Sequence, residues 1–178
     1  KKQLKLKEEH FYSNKLTSFL LLLVSSIFVI AGILLGEKMI DFEEKLFKSV
    51  ILIFSFLLFS FGIVLSFLLL TRKKPLLTIT NSQIIIHHVL TPSKTIQIDN
   101  IKSFFIVNTH HRGIKTNRQI FIELNKPTEK YTKTWFYKFL NKISKPIANS
   151  QFSIQTDFLN IKQQKLLELL NKKIKNAV

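Results

Sequence analysis

Residues 16–36 read LTSFLLLLVSSIFVIAGILLG and residues 50–70 read VILIFSFLLFSFGIVLSFLLL, two uncharged runs of 21 residues each. At about 1.5 Å per residue a helix of that length extends roughly 31 Å, the thickness of a hydrocarbon core of about 30 Å. A buried helix of a water-soluble protein normally keeps a polar stripe at the 3.6-residue period, whereas the only polar side chains here are uncharged Ser and Thr. A cleaved leader fits the first run poorly: the run is long for such a segment, fifteen residues precede it, no A-x-A site follows, and a second run comes directly after it. Both runs are therefore predicted to cross a membrane.

The charges outside them orient the pair. Residues 1–15 carry Lys1, Lys2, Lys5, Lys7 and Lys15 against Glu8 and Glu9, while the connector 37–49 carries Lys38, Lys45 and Lys48 against Glu37, Asp41, Glu43 and Glu44. Arg72, Lys73 and Lys74 follow the second run at once, and most of the remaining net charge of +16 lies in residues 71–178. Since Lys and Arg favour the cytoplasmic side, the expected order is a basic cytosolic segment 1–15, helix 16–36, an external loop 37–49, helix 50–70 and a cytosolic domain 71–178, with both termini inside. Gly32 and Gly36 form a G-x-x-x-G, and Gly62 with Ser66 a second small pair; packing the two helices of one hairpin together is preferred over dimerisation for both. No ionisable residue lies inside either run, which disfavours a transporter or channel.

Composition narrows the rest. The 178 residues are 46% hydrophobic with 17 Phe, so the chain has ample material to bury and is not expected to be disordered. It has no cysteine, which removes disulfide scaffolds, thiol catalysis and cysteine-based zinc sites.

After Pro75 the pattern changes to short β-rich pieces: 76–80, 83–90, 94–98, 102–108, 119–125 and, later, 151–156. Asn81-Ser82 is a two-residue hairpin connection, Thr91-Pro92-Ser93 and Asp99-Asn100 are turns, and 109–118, THHRGIKTNR, reads as a polar loop. A helix is predicted from near Asp157, as N-cap, to about Asn176, with Leu166, Leu169 and Leu170 closing one end of a curved antiparallel sheet. Between strands lies an insertion, Pro127 to Pro146, in which Lys130, Lys133, Lys138, Lys142 and Lys145 alternate with Trp135, Phe136, Tyr137, Phe139, Leu140 and Ile143. Thr128 is a candidate cap there. Two readings stand side by side: an interfacial helix with rings at the acyl boundary and ammonium groups at anionic headgroups, or an amphipathic helix packed on the sheet with its basic face in water.

The order of segments resembles a family of small bacterial membrane proteins of unknown function, with two N-terminal transmembrane helices and a cytoplasmic domain similar to pleckstrin-homology (PH) domains. The motifs that carry the likeness are TRKKP at 71–75, LTITNSQIII at 77–86, IQIDNIKSF at 96–104, IELNKPTEKY at 122–131 and QFSIQTDFLNIKQQKLLELLNKK at 151–173. The resemblance implies an α+β membrane protein: a transmembrane hairpin in the bacterial cytoplasmic membrane, then a PH-like domain, a bent seven-stranded antiparallel sheet capped by a C-terminal helix. PH domains that bind phosphoinositides surround the first hairpin loop with Lys and Arg, whereas Asn81-Ser82 is neutral, so no specific headgroup pocket is expected.

Catalytic constellations do not emerge. His87 and His88 are adjacent and point to opposite faces of a strand, and His110-His111 has no nearby carboxylate, so no metal site is expected; His10 is isolated. The domain's carboxylates, Asp99, Glu123, Glu129, Asp157 and Glu168, form no spaced acid–base pair, and four glycines offer no phosphate-cradling loop. Nucleic acid is ranked below lipid as a partner because the lysines are dispersed and a bilayer is always at hand. The expected role is a non-enzymatic, membrane-anchored interaction module without cofactor. Its contact set for the anionic leaflet is Arg72, Lys73, Lys74, Lys133, Trp135, Phe136, Lys138 and Lys142, with a protein or peptide partner also open. The alternative is self-protection against a membrane-active bacteriocin or toxin.

Overall fold

The computed structural model describes residues 8–39, 46–106, 110–111, 114–115 and 119–175. The chain divides into two compact units: residues Ser13–Lys74, and the segment up to Tyr12 together with everything from Pro75 onward.

The first unit is a pair of long helices, α1 (Lys15–Met39) and α2 (Leu46–Thr71), which contain both predicted runs. Asn14 starts α1: its Oδ1 accepts from the amides of Leu16 and Thr17 at 3.1 and 3.2 Å, satisfying donors that have no partner within the helix. At the end of α2, Lys15 Nζ donates to the carbonyls of Leu69, Leu70 and Arg72 at 2.8–3.0 Å, and Ser13 Oγ donates to Leu69 at 2.9 Å. A cation at a helix C-terminus also complements the macrodipole.

Small residues form the seam between the helices. Ser18, Ser25 and Gly32 recur every seven residues on α1, the spacing that keeps one face toward a partner helix. A Cβ on Gly62 would lie 2.5 Å from Ser25 Oγ, and one on Gly32 would lie 3.0 Å from the Phe56 ring. Ser66 Oγ turns back onto the Gly62 carbonyl at 2.7 Å, and Phe28 stacks on Phe59 with centroids 4.2 Å apart. Gly32 and Gly62 therefore allow the two helices their close approach, while Gly36 lines an apolar groove of about 690 Å³ with Phe28, Gly32 and Phe56.

The second unit is built from two antiparallel sheets. One has the order β1-β2-β3-β4, from β1 (Glu9–Phe11), β2 (Leu77–Ile79), β3 (Gln83–Ile86) and β4 (Lys94–Gln97). The other has the order β5-β8-β9, from β5 (Ile101–Phe105), β8 (Gln119–Leu124) and β9 (Phe152–Gln155). Within the predicted loop 109–118, β6 (His110–His111) pairs with β7 (Ile114–Lys115); residues 109, 112–113 and 116–118 lie outside the described set. The hairpin at Asn81-Ser82 forms as its sequence demands. Thr80 N donates to the Gln83 carbonyl at 3.0 Å, and Thr80 Oγ1 accepts from the Gln83 amide.

The inward faces of both sheets, Ile79, Ile84, Ile96, Ile98, Ile120, Ile122 and Ile154 among them, meet Leu166 and Leu170 of α6 (Gln163–Lys175) in one core. This helix starts six residues later than the sequence pattern indicates, and Asp157 is not its cap. The intervening chain turns so that Leu159 enters the core and Asn160 is free to bind elsewhere.

The least expected element is β1. Residues 1–15 read as a basic tail, yet Glu9, His10 and Phe11 pair with Ile79, Thr78 and Leu77. Tyr12 then exchanges two hydrogen bonds with Asn160, 3.2 Å from its amide to Oδ1 and 3.1 Å from the Asn160 amide to its carbonyl. Glu9 pairs with Lys173 of α6 at 3.6 Å. The sheet thus takes its first strand from before the helical hairpin and its second from after it.

Candidate interaction surface

The insertion that follows β8 is closed at its neck by polar side chains. Asn100 clamps Lys126 through both backbone groups at 3.0 and 2.9 Å, and Gln151 Oε1 accepts from both the amide and the hydroxyl of Thr128. Thr128 stands before a single turn, α3 (Glu129–Thr132), with its hydroxyl committed to Gln151. The cap of the main helix is instead Thr134, whose Oγ1 accepts from the Tyr137 amide at 3.2 Å and opens α4 (Trp135–Ile143). Pro146 lies in the first turn of α5 (Lys145–Ala148), a position where its missing N–H costs nothing. The fully buried Ala148 and the bond from the Leu124 amide to the Asn149 carbonyl at 3.2 Å fix this end of the insertion to β8.

The orientation of α4 tells against the reading in which its apolar face packs on the sheet. Tyr137 faces the protein: its hydroxyl meets Asn149 Oδ1 at 3.3 Å and its ring lies edge-on to Tyr131 with centroids 5.4 Å apart. The apolar face points the other way. Trp135 is 77% exposed, Phe136 48%, Phe139 53% and Ile143 64%, and no residue of α4 is buried. At about 100° per residue, Trp135, Phe136, Phe139, Leu140 and Ile143 share an arc of roughly 140°, with Lys138 and Lys142 beside its Trp135 edge. The helix does not pack its apolar side on the sheet.

Of the expected contact residues, Lys133, Trp135, Phe136, Lys138 and Lys142 come together on or next to α4. Lys133 lies 4.0 Å from the Glu129 carboxylate, and Lys138 and Lys142 are exposed. Arg72, Lys73 and Lys74 follow α2 in the other unit, where Arg72 Nε donates to the Lys74 carbonyl at 3.2 Å and Lys73 and Lys74 are exposed. Phe139 and Ile143 belong to the same surface. Their spacing of four from Trp135 and Phe139 was the signal in the sequence that they would.

Covering the four most exposed apolar side chains of α4, which keep about half to three-quarters of their surface open, would contribute about 1 kcal/mol or more apiece. Each lysine at an anionic surface would add about 1 kcal/mol. Within α4, which carries only Lys138 and Lys142, the apolar term is thus the larger of the two.

The outer faces of the sheets hold the remaining polar chemistry. A bulge in β5 between Ile101 and Ser103 lets Lys102 and Ser103 both reach Glu123, at 2.9 and 2.7 Å. Burial by itself raises the Glu123 carboxyl, but the hydrogen bonds from Ser103 and Lys102 and the Lys102 charge outweigh it and hold the group below its ordinary value. From β1 across β2 to the residue after β3, His10 Nδ1, Thr78 Oγ1 and His87 Nε2 form a chain of 3.2 Å contacts, continued from His87 Nδ1 to Ser93 Oγ at 3.0 Å. His88 stands apart from that chain. Burial first, and the Lys94 charge second, lower its pKa, and its Nε2 has no hydrogen-bond partner among the described residues. Among those residues no three His, Asp or Glu side chains converge as a metal site.

The chain matches no protein-family profile, no curated protein and no solved structure.

Proposed function

We propose that this chain is a membrane-anchored, non-enzymatic interaction module. The helical hairpin crosses the bacterial cytoplasmic membrane twice, both termini lie in the cytosol, and a PH-like domain is held against the anionic leaflet. The observation that carries the reading is the arrangement of α1 and α2: Ser18, Ser25, Ser49 and Ser66 are buried between them, while Phe19, Phe47, Phe54 and Phe61 point outward. A solvent that accepts phenylalanine and leaves serine inside is hydrocarbon rather than water. Pairing of β1 with β2 supports an even number of crossings, since the two strands flank the hairpin in sequence and must emerge on one side. The four-stranded and three-stranded sheets with a terminal helix in one core support the PH-like reading. On the leaflet, Lys133, Lys138 and Lys142 of the insertion and Arg72, Lys73 and Lys74 after α2 supply attraction to anionic headgroups, with Trp135 and Phe136 beside them.

The test is extraction. Full-length chain expressed in bacteria stays with the membrane pellet through an alkaline carbonate wash, and its C-terminal tail resists protease added outside intact cells. Release of the chain by carbonate, or cleavage of the tail from outside, would overturn the reading.

A further inference from the structure

We infer that α4 is an insertion element: its apolar face enters the headgroup–acyl boundary of an anionic bilayer, and apolar burial rather than lysine attraction holds it there. The inference rests on the membrane anchorage proposed above, which places a bilayer within reach of the domain at all times.

The helix itself argues for an external apolar partner. Nine residues are too few for a stable isolated helix in water, and most helices of that length are held by a buried apolar face. In α4 the protein-facing contacts are instead polar, through Thr134, Tyr137 and Asn149, and every large apolar side chain but Leu140 is at least half exposed or nearly so. A contiguous face of Trp, Phe, Phe and Ile left open to water is a contact surface awaiting its partner.

Charge selects the occupant. Residues 135–143 contain Lys138 and Lys142 and no Asp or Glu. Two copies of α4 set face to face would bring like charges together with no carboxylate to relieve them, which opposes self-association. An anionic lipid surface matches both halves of the pattern: tryptophan and phenylalanine at the interfacial depth, and ammonium groups level with the phosphates. A protein groove of acidic rim and apolar floor would match the same chemistry, and the test separates it.

Trp135 is the only tryptophan of the chain and sits on the face in question, so the full-length protein reports on itself. It is reconstituted into vesicles of phosphatidylcholine alone, and of phosphatidylcholine and phosphatidylglycerol in equal parts, each at low and at high salt. Some of the lipid is brominated either close to the headgroup or close to the chain terminus. Insertion predicts blue-shifted Trp135 emission that falls roughly twofold or more with the shallow bromines and much less with the deep ones, in both lipid mixtures and at both salt levels. The triple variant Phe136→Ser, Phe139→Ser, Ile143→Ser loses that quenching, whereas Lys138→Gln with Lys142→Gln weakens it only in the anionic mixture. Quenching confined to anionic lipid at low salt would overturn insertion and leave electrostatic contact. Blue-shifted but unquenched emission would overturn it in favour of a protein covering the face, and water-like emission throughout would mean that α4 touches nothing. None of these three results disturbs the anchorage, which fails only if carbonate releases the chain.

Discussion

The two units of this protein sort their side chains in opposite senses. In the domain the aliphatic residues Ile79, Ile120 and Ile122 are inside and the lysines outside. In the hairpin serines, with Leu69, occupy the buried positions, and most of the leucine and phenylalanine lies on the outside. Side chains partition according to the solvent they face, so the inversion is what the proposed membrane anchorage requires of the hairpin. The insertion helix α4 sits in the domain by sequence and by contact, yet it wears its apolar face outward as the hairpin does. It is the place where the domain follows the hairpin's rule.

The sharpest way to break this comparison is to separate the units. The domain's first strand precedes the hairpin, so a fragment that begins at Pro75 lacks β1, the Tyr12–Asn160 bonds and the Glu9–Lys173 pair. Leu77 and Ile79 would lose their cover on that edge. The fragment is expected to lose about 4 kcal/mol or more, comparable with the whole stability of a small domain. A chain in which Tyr12 is joined to Pro75 through an Asn-Gly turn, with residues 13–74 deleted, keeps β1 beside β2 and is expected to fold in water. Circular dichroism and denaturant titration of the two constructions decide it. Equal stability would mean that β1 contributes nothing.

Within the hairpin the rule is tested by adding apolar volume where a soluble core would welcome it. Gly62→Leu places a side chain where even a Cβ would stand 2.5 Å from Ser25 Oγ, and this should cost about 1–3 kcal/mol of helix pairing. Phe54→Leu, at an outward position, should change little. Thermal unfolding in detergent micelles reads both. A Gly62 variant that melts with the parent would remove the small-residue seam from the account.

Glu123 tests the domain's side of the comparison, since it is a buried charge on an outer sheet face. Glu123→Gln keeps the shape and removes the charge-assisted bonds from Lys102 and Ser103, at an expected cost of about 1–2 kcal/mol near neutral pH. The folded carboxyl is held below its ordinary value of 4.5, so its contribution is present above that pH and is lost as the pH falls through the folded value. Denaturant curves for parent and variant, taken on the joined domain, should differ near neutrality and converge in acid. A gap that persists in acid would mean that the charge is not the source.

How far these features could be read from the sequence follows from how many residues announce each one. The hairpin rests on two runs of 21 residues, and Thr80 to Gln83 closes a turn that its own residues specify. β1 rests on Glu9, His10 and Phe11 in a charged stretch, too short for any period to show, and its partner lies beyond the hairpin. The start of α6 is not legible because Asp157 is a good cap by type, while the need to seat Leu159 in the core and to hold Tyr12 with Asn160 is a tertiary matter. For α4 the amphipathic pattern was legible but its direction was not. Periodicity shows that a helix has two faces, and only the packing of Tyr137 and α5 shows which one the protein keeps.

The smallest effect concerns His88, which shows the domain's rule applied to a titratable group. Burial and Lys94 lower its pKa from the ordinary 6.5, so the unfolded chain binds a proton that the folded chain resists. Stability should therefore rise with pH through the window just below 6.5, and the penalty should be complete once the pH lies beneath the folded value. His88→Phe removes the site, and with it the unpartnered Nε2, within a similar volume. The parent's own pH dependence sums over many groups, whereas the difference between parent and variant isolates His88. Between about pH 8 and about pH 5 that difference should grow by less than about 1 kcal/mol in favour of the variant. A difference independent of pH would mean that folding leaves the proton affinity of His88 unchanged, and a difference of opposite sign would mean that folding raises it.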